Sequence, residues 1–121
     1  MGKFMLRTVA SGIKFDLLAA NGRTILSSEV YATRAAALKG IASIRLNAPD
    51  APVEDLTAEK PAPRKNPKFE VFLDKAKEYR FRMKARNGKI VGTSEGYTTL
   101  AGCLNGIESV KINAAEAEIE L

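Results

Sequence analysis

Residues 104–114 read LNGIESVKINA, and residues 38–48, sixty-six positions earlier, read LKGIASIRLNA. The likeness continues outward from these stretches, because residues 13–50 and 79–116 share 15 identities in 38 positions at an offset of 66. Ordinary amino-acid usage would give roughly two or three matches by chance. The chain therefore contains an internal duplication, and its period is long enough for a whole supersecondary unit.

The five prolines of the 121-residue chain fall between positions 49 and 67, where one copy gives way to the next. The segment TAEKPAPRKNP at 57–67 is typical of an extended, semi-rigid linker. A docking peptide for an aromatic groove is the alternative, but the segment has no PxxP motif flanked by apolar residues. We predict a first repeat at 1–56, a linker at 57–67 and a second repeat at 68–121, which together form one pseudo-symmetric domain.

The second copy begins with the pattern of an antiparallel sheet. Residues 69–73 are β-branched and aromatic, residues 79–86 alternate between polar and apolar side chains, and residues 89–94 return as a third strand. The dipeptide at 87–88, Asn-Gly, favours a two-residue type I′ loop, which needs positive φ at both positions. Such a loop also fixes the pairs that face one another across the hairpin. The predicted pairs are Ala85 with Ile90, Met83 with Gly92, Phe81 with Ser94, Arg80 with Glu95 and, in the first copy, Lys14 with Glu29.

A helix and a short strand complete each copy. In the second copy, Thr98 or Thr99 is the expected N-cap of a helix that extends to about Asn113, and Ile119 with Leu121 indicates a closing strand. Apolar residues recur at helical spacing along one face of this helix and of its first-copy equivalent. These residues are Leu100, Cys103, Leu104, Ile107 and Val110 in the second copy, and Ala37, Leu38, Ile41 and Ile44 in the first.

Three glycines lie inside the predicted helices, at Gly40, Gly102 and Gly106. A helical glycine costs about 1 kcal/mol relative to alanine, so each position needs a compensating reason. The spacing of small residues would suggest a dimerising span in a membrane, but these helices are too short and too polar. We expect the glycines to allow close packing on the sheet or on the sister helix, and so to join the two repeats.

Five stretches of the second copy are specific in combination. They read FEVF at 69–72, YRFR at 79–82, NG at 87–88, SEGY at 94–97 and GCLNGIESV at 102–110. Together they resemble the YegP-like family of small bacterial proteins, and the resemblance covers nearly all of both copies. The first copy departs from the pattern, because Ala36, Lys39 and Asp16 stand at the positions equivalent to Gly102, Asn105 and Arg82.

The resemblance implies an α+β fold of two tandem β-β-β-α-β repeats. In this fold the repeats share one antiparallel sheet, exchange their C-terminal strands and pack both helices on one face. Family members with a single copy would pair as dimers to build the same object. No activity is established for the family, so the resemblance implies a fold and leaves the function open.

The residue types argue against catalysis and against a bound metal or cofactor. Histidine, the commonest general base and metal ligand, is absent, and Cys103 is the single cysteine. Cys103 lies on the apolar helix face without a histidine to activate it, which favours a buried structural thiol. We therefore expect no catalytic residue, no metal site and no cofactor, and we do not expect an enzyme.

The outward face of the second hairpin is the candidate binding face. It combines alternating cations with an aromatic residue, an arrangement that suits stacking on single-stranded bases and contacts with phosphates. Its residues are Arg80, Arg82, Lys84, Arg86, Lys89 and Phe72. The plainer interpretation is that these cations only solvate an exposed face and pair with Glu70 and Glu95. The first copy has Lys14, Asp16, Leu18 and Ala20 on this face, and its apolar members, with Ile25, hint at a protein contact surface.

The leading functional hypothesis is a non-enzymatic interaction module that binds an unknown protein partner through the exposed sheet face or a sheet edge. Weak binding of nucleic acid or another polyanion to the basic face is the alternative. The net charge of +5 decides nothing, since it is spread thinly without a basic tail. No apolar run is long enough for a membrane span, so we expect a soluble cytoplasmic protein, monomeric because the dimer-like pairing is internal.

Overall fold

The computed structural model describes residues 2–120, and within that range the chain forms eight strands and two α-helices. The elements are β1 (Lys3–Val9), β2 (Gly12–Leu18), β3 (Thr24–Ser28), α1 (Arg34–Asn47), β4 (Val53–Asp55), β5 (Lys68–Leu73), β6 (Tyr79–Lys84), β7 (Ile90–Thr93), α2 (Leu100–Glu116) and β8 (Glu118–Glu120). A short 3-10 turn, Ala48–Asp50, follows α1. Leu121, which the sequence places in the closing strand, lies outside the described residues.

The strands form one sheet in the order β4-β5-β6-β7-β3-β2-β1-β8, so the predicted exchange of C-terminal strands is confirmed. The first repeat's β4 pairs with the second repeat's β5, and β8 pairs with β1. One detail of the prediction is wrong, because both exchanged strands pair in parallel and the sheet is mixed rather than antiparallel. Helix α1 connects β3 to β4, and helix α2 connects β7 to β8. The parallel strands β4 and β5 are joined by residues 56–67, a connection longer than the tight hairpin that antiparallel neighbours use.

The two repeats meet where β3 pairs with β7. Ser27 lies opposite Thr93, and these two residues are equivalent positions of the repeats, 66 apart. A pair of equivalent residues that face each other marks the pseudo-two-fold axis of the molecule. The two repeats therefore join through equivalent strands.

The core repeats the same aromatic cluster on each side of this axis. Phe4 and Phe15 meet edge to face with their centroids 5.8 Å apart, and the equivalent Phe69 and Phe81 meet at 5.9 Å. A tyrosine then stacks on the inner ring of each pair, Tyr31 on Phe15 and Tyr97 on Phe81. All four phenylalanines are fully buried. Edge-to-face and offset stacked arrangements are the favourable geometries of aromatic pairs, so both halves of the core use the same contacts.

The helices begin as the sequence predicts but end later in the second repeat. Thr99 is the N-cap of α2, where its hydroxyl accepts a hydrogen bond from the Gly102 N–H, and Thr33 caps α1 in the same way. Helix α2 continues to Glu116, beyond the expected end at Asn113. Neither helix is long and apolar enough to cross a membrane.

Gly40 and Gly106 leave room for a tyrosine of their own repeat. A Cβ at Gly106 would overlap the Tyr97 hydroxyl and approach Phe81, and a Cβ at Gly40 would overlap the Tyr31 hydroxyl in the same way. The close approach is therefore to an aromatic residue on the sheet side and not to the sister helix. Gly102 differs, because a Cβ there would come no nearer than 3.2 Å to the Thr99 hydroxyl.

The hairpin loops differ from the predicted two-residue type I′ turn. The Gly88 N–H donates to the Ala85 carbonyl and the Ala85 N–H donates to the Lys89 carbonyl, which makes a three-residue loop. Within the described chain Gly88 has positive φ, at 83°, whereas Asn87 does not. The Asn87 side chain instead accepts the Lys89 N–H at 3.0 Å, a local bond that stabilises an ordinary turn before the glycine bulge.

The bulge changes the register at the loop end of the hairpin. Lys84, rather than Ala85, lies opposite Ile90, so that predicted pair is wrong. Further from the loop Met83 lies opposite Gly92, as predicted. The predicted pair of Phe81 with Ser94 is also confirmed, because the Ser94 N–H donates to the Phe81 carbonyl at 2.8 Å.

Candidate interaction surfaces

The predicted basic face lies on strands β5 and β6. Across these strands Phe72 is opposite Arg80, Glu70 is opposite Arg82, and Lys68 is opposite Lys84. Phe81 and Met83, which alternate with the β6 cations, are fully buried. The cations therefore occupy the side of β6 that faces away from the core, as the alternation along a strand requires.

Glu70 neutralises much of this face. Its side chain is 6% exposed and forms salt bridges with Arg82 Nε at 2.8 Å, Lys68 Nζ at 3.2 Å and Lys84 Nζ at 3.3 Å. Burial alone would raise the pKa of Glu70, but the hydrogen bonds from these three cations outweigh burial and lower it. Glu70 is therefore ionised at neutral pH, and its single negative charge is shared by the three cations and offsets part of their charge.

Arg80 is bound to Asp74 and not to Glu95, so the predicted cross-strand pair is wrong. Arg80 Nε donates to Asp74 Oδ2 at 2.6 Å, and a second guanidinium nitrogen donates to the Ser94 carbonyl at 3.1 Å. Asp74 also accepts backbone N–H groups in the β5–β6 turn, and the hydrogen bond from Arg80 is the main reason that its pKa is lowered. The turn supplies a nearer and better oriented carboxylate than the next strand does. Glu29 likewise forms no salt bridge with Lys14 in the described part of the chain.

Phe72 and the loop cations complete the predicted face. The Arg82 guanidinium lies over the Phe72 ring, 4.6 Å from its centroid. It therefore covers the ring surface on which a nucleic-acid base would have to stack. Arg86 and Lys89 are exposed in the hairpin loop and have no salt-bridge partner among residues 2–120. The structure thus brings the predicted residues together on one surface, but three of the five cations are already paired.

The equivalent face of the first repeat is also less apolar than expected. Asp16 holds this face together, because it binds Arg7 Nε at 2.9 Å and accepts the Ser27 hydroxyl at 2.7 Å. Ile25 does not lie on the open surface, since it is buried with the core beside a bulge between β2 and β3. The proposed contribution of Ile25 to an exposed apolar surface is therefore wrong.

The two ends of the sheet carry equivalent ion pairs in different surroundings. Lys68 binds Glu54 at 2.7 Å at the β4 end, and the equivalent Lys3 binds Glu120 at 3.2 Å at the β8 end. The first pair is 12% and 10% exposed, whereas the second is 46% and 54% exposed. The linker accounts for part of the difference, because the Arg64 N–H donates to Glu54 Oε1 at 2.7 Å. The hydrogen bond from Lys68 is the main cause of the lowered pKa of Glu54.

An apolar groove of about 560 Å³ lies between α1 and the β8 edge. Its rim has three exposed aliphatic side chains, and a partly buried arginine lines its wall. The lining residues are Leu38, Ile41, Ala42, Arg45, Leu46 and Ile119. Arg45 joins the two walls, because its guanidinium lies over the Phe4 ring and donates to the Ala117 carbonyl just before β8. We call this surface the β8 groove.

The sequence did not predict the β8 groove as a site. Leu46 lies off the apolar face of α1 that the helical spacing defines, and Ile119 was assigned only to a closing strand. The signal available in the sequence was the apolar Leu46 itself, which stands two residues after Ile44 and so off the inward-facing stripe. The structure shows that its side chain is exposed.

Cys103 has the environment of a structural thiol. It is fully buried in the core, and burial, with the charge of Asp55 as a second cause, raises its pKa to about 11. A thiol with this pKa is protonated at neutral pH, and the nucleophilic form of cysteine is the thiolate. The surroundings of Cys103 therefore do not favour a role as a nucleophile.

Comparisons with known proteins agree with this architecture. Residues 10–55 and 74–120 each match the family model "Domain of unknown function (DUF1508)". The UPF0339 protein YegP of Yersinia pestis is 34% identical over 121 residues, which cover 99% of this chain and 95% of that protein. The solution NMR structure of yegP from E. coli, described as a protein of unknown function, has a TM-score of 0.80 and 32% identity over 98% of this chain and 90% of its own.

A shorter relative shows the size of the repeating unit. A UPF0339 protein of Methanosarcina acetivorans is 56% identical over 52 residues, which are 43% of this chain but 90% of that protein. That relative is therefore about as long as one of the two repeats described above.

Proposed function

The chain belongs to the DUF1508 family, and from that premise we propose that it is a non-enzymatic interaction module that binds an extended protein segment at the β8 groove. The observation that carries the proposal is the position of this apolar groove beside a strand at the end of the sheet. Exposed apolar surface next to an unpaired strand edge is the usual setting for a bound peptide strand.

The backbone of β8 supplies the first part of the recognition. Strand β8 pairs with β1 on one side and is the last strand of the sheet on the other. An edge strand presents unpaired N–H and C=O groups, so an added strand gains main-chain hydrogen bonds that do not depend on its sequence. Three residues of β8 provide only a short ladder, and the affinity therefore depends on side chains as well.

Side chains of the groove supply the second part. Leu38 and Leu46 on α1 and Ile119 on β8 are exposed and face a shared groove that would accept alternate apolar residues of an added strand. Glu118 is exposed on the edge and has no salt bridge among residues 2–120, whereas Glu120 is paired with Lys3. Charge complementarity with Glu118 then favours a partner segment that carries a lysine or arginine beside its apolar residues.

The opposite end of the sheet is the weaker docking site. Strand β4 is followed by the linker, whose Arg64 N–H is bound to Glu54. The partner would therefore bind the β8 edge in preference to the β4 edge, although the two edges occupy equivalent positions in the duplicated sheet.

A library of random displayed peptides, selected against the immobilised full chain, tests this proposal. Leu38→Asp should weaken the selected peptides about tenfold or more, because the new carboxylate would lie in an apolar contact. Leu104→Asp is the matched control, since Leu104 is the equivalent residue of α2 and is 38% exposed against 36% for Leu38. Failure to select any peptide, or an equal effect of the two substitutions, would contradict the proposal.

Polyanion binding is the second candidate, and the exposed loop cations Arg86 and Lys89 are the observation that favours it. It ranks lower because Arg82, Lys84 and Arg80 already form salt bridges with Glu70 and Asp74, which offset part of their charge. Labelled single-stranded RNA should therefore bind weakly at low salt. Submicromolar binding that falls steeply with salt and is abolished by Arg82→Glu would reverse the ranking.

We also propose that the chain is a monomer in solution. The pseudo-two-fold axis between Ser27 and Thr93 pairs the halves of one chain, so assembly of the sheet needs no second copy. Sedimentation equilibrium should give the mass of one chain across a wide concentration range. An obligate dimer would contradict this proposal.

A further inference from the structure

A small cavity of about 220 Å³, lined by both polar and apolar residues, lies where the two repeats meet, away from the β8 groove. One wall is the β2–β3 loop of the first repeat, and the other wall is helix α2 with the segment that precedes it. Ligand sites commonly form at boundaries of this kind, where groups from two units converge. The volume is below the 300–1,000 Å³ or so typical of pockets for drug-sized ligands, so an occupant would have to be smaller.

Two opposite charges flank this cavity. Arg23 lines it from the first repeat and Glu95 lines it from the second, and both side chains are exposed. Neither forms a salt bridge within residues 2–120. Burial is the main reason that the pKa of Tyr97 is raised, and Cys103 raises it further; the charge of Arg23 lowers it and that of Glu95 raises it. A cation and an anion therefore flank one neutral hydroxyl.

Neutral hydrogen-bond donors face the cavity from both walls. Asn105 and Ser109 are one helical turn apart on α2, and the Ser109 hydroxyl accepts the Asn113 amide at 3.1 Å, so its own proton is available to donate. On the loop, the Asn21 carbonyl oxygen accepts the Arg23 N–H at 3.0 Å, which leaves the amide NH₂ of Asn21 as a donor.

The equivalent position of the first repeat lacks several of these features. Ala36 and Lys39 occupy the places of Gly102 and Asn105, and a lysine, Lys89, occupies the place of Arg23. Lys39 puts a long cation where the second repeat has a short amide. Arginine also binds carboxylates through two parallel hydrogen bonds, which lysine cannot do. The duplicated core is thus retained while these lining residues have diverged.

We infer that this cavity binds a free α-amino acid. The carboxylate of the ligand lies against the Arg23 guanidinium and the amide donor of Asn105, and its ammonium group lies against Glu95. A zwitterion matches a site that offers one cation, one anion and several neutral donors, whereas a simple anion would be repelled by Glu95 and a simple amine by Arg23.

Titration of the ¹⁵N-labelled full chain with each of the L-amino acids, followed by two-dimensional NMR, tests the inference. At least one amino acid should give saturable shifts at Asn21, Asn105 and Ser109. Arg23→Ala should raise its Kd about tenfold or more, as expected for loss of a charge-assisted contact. The equivalent change Lys89→Ala should leave the Kd unaltered. Asn105→Lys, which installs the first-repeat residue, should also weaken binding, whereas Lys39→Asn should not.

Ligand analogues assign the two charged contacts. The methyl ester of the bound amino acid should lose affinity because it has no carboxylate for Arg23. The N-acetyl derivative, which imitates the C-terminus of a peptide, should lose affinity because it has no ammonium group for Glu95. Equal binding of the N-acetyl derivative would overturn the assignment to a free amino acid. Absence of saturable shifts with every L-amino acid, or insensitivity to both Arg23→Ala and Asn105→Lys, would overturn the site itself.

Discussion

The two repeats have the same interior and different surfaces. Phe4 with Phe15 and Phe69 with Phe81 have nearly the same ring geometry, and each helix keeps a glycine against a tyrosine of its own repeat. The surfaces differ at equivalent positions, because Met5 and Asp16 in the first repeat correspond to Glu70 and Arg82 in the second. The contacts that build the fold are thus duplicated, while the residues on the outer face of the sheet have become different in each half.

The two ends of the sheet show the same contrast on a smaller scale. The Lys68–Glu54 pair is shielded and tied to the linker, whereas the equivalent Lys3–Glu120 pair is exposed beside an apolar groove. Both terminal strands have an outer edge, but the linker contacts the Glu54 side chain at the β4 end, and the β8 edge adjoins an apolar groove. This difference supports the proposal that a partner strand adds at the β8 end.

The largest expected difference between the repeats is at Glu70. Glu70→Ala leaves Lys68, Arg82 and Lys84 without their shared carboxylate, and removal of one partner of a buried ion pair should lower the free energy of unfolding by about 3 kcal/mol. Met5→Ala, at the equivalent position, removes only partly exposed apolar surface and should cost about 1 kcal/mol. Urea denaturation of both variants measures the difference. Equal losses would mean that the carboxylate does not hold this face together.

The helical glycines should divide into two classes. Gly106→Ala and Gly40→Ala should each lower the free energy of unfolding by about 1–3 kcal/mol, because the new methyl group overlaps a tyrosine hydroxyl. Gly102→Ala should be neutral or stabilise the protein by up to about 1 kcal/mol, because a shift of a few tenths of an ångström in the Thr99 hydroxyl makes room for the added Cβ and alanine is the better helix former. Thermal unfolding of the three variants compares them directly. A stabilising Gly106→Ala would contradict the contact with Tyr97.

Acid should weaken the β4–β6 end of the sheet through its paired carboxylates. The pKa values of Glu54, Glu70 and Asp74 are lowered by their hydrogen-bonded partners. In the unfolded chain these carboxyl groups have pKa values of about 3.9–4.3. At a pH above those values the ion pairs contribute their full stabilisation, and the contribution is lost as the pH falls through the lower pKa values of the folded protein. A Glu54→Gln and Asp74→Asn double variant should therefore show a shallower loss of stability below about pH 4 than the wild type.

Glu120→Gln is the control for that experiment, because Glu120 is the equivalent of Glu54 but its ion pair is exposed. It should keep the acid dependence of the wild type. Identical pH profiles for the wild type and the double variant would show that these carboxylates do not control the acid response.

The smallest effect is expected at the exposed ion pair. Lys3→Ala should change the free energy of unfolding by less than about 1 kcal/mol, since surface pairs are screened by water and salt. Lys68→Ala should cost more, because Lys68 binds both Glu54 and Glu70. Denaturation at low and high salt separates the two positions, and a larger loss for Lys3→Ala would reverse the comparison of the sheet ends.

The duplication and the periodicities of the sequence predict most of the fold. The helices, their threonine caps and the core aromatic residues follow from local signals, and the exchange of strands was implied by the family resemblance. The loop type was not predictable from Asn87-Gly88, because the asparagine side chain can instead bind the Lys89 N–H and leave positive φ to the glycine. Parallel pairing of the exchanged strands depends on how the helices cross the sheet, which no local pattern encodes.

The surfaces were less predictable than the fold. The five cations of the second hairpin are visible in the sequence, but the Asp74 partner of Arg80 depends on the path of a turn. The β8 groove combines residues of α1 and β8 that lie more than seventy positions apart. Only the exchanged topology brings Leu46 and Ile119 to the same surface.

The most direct test of the account is an NMR titration of the ¹⁵N-labelled full chain with a peptide selected for binding. The proposal predicts that the resonances of Leu38, Leu46 and Ile119 shift and saturate together, whereas those of the equivalent Leu104, Ile112 and Val53 stay in place. The proposal would be contradicted if the shifts were confined to the β4 end or to the basic face around Arg82. It would also be contradicted if both ends of the sheet showed equal shifts.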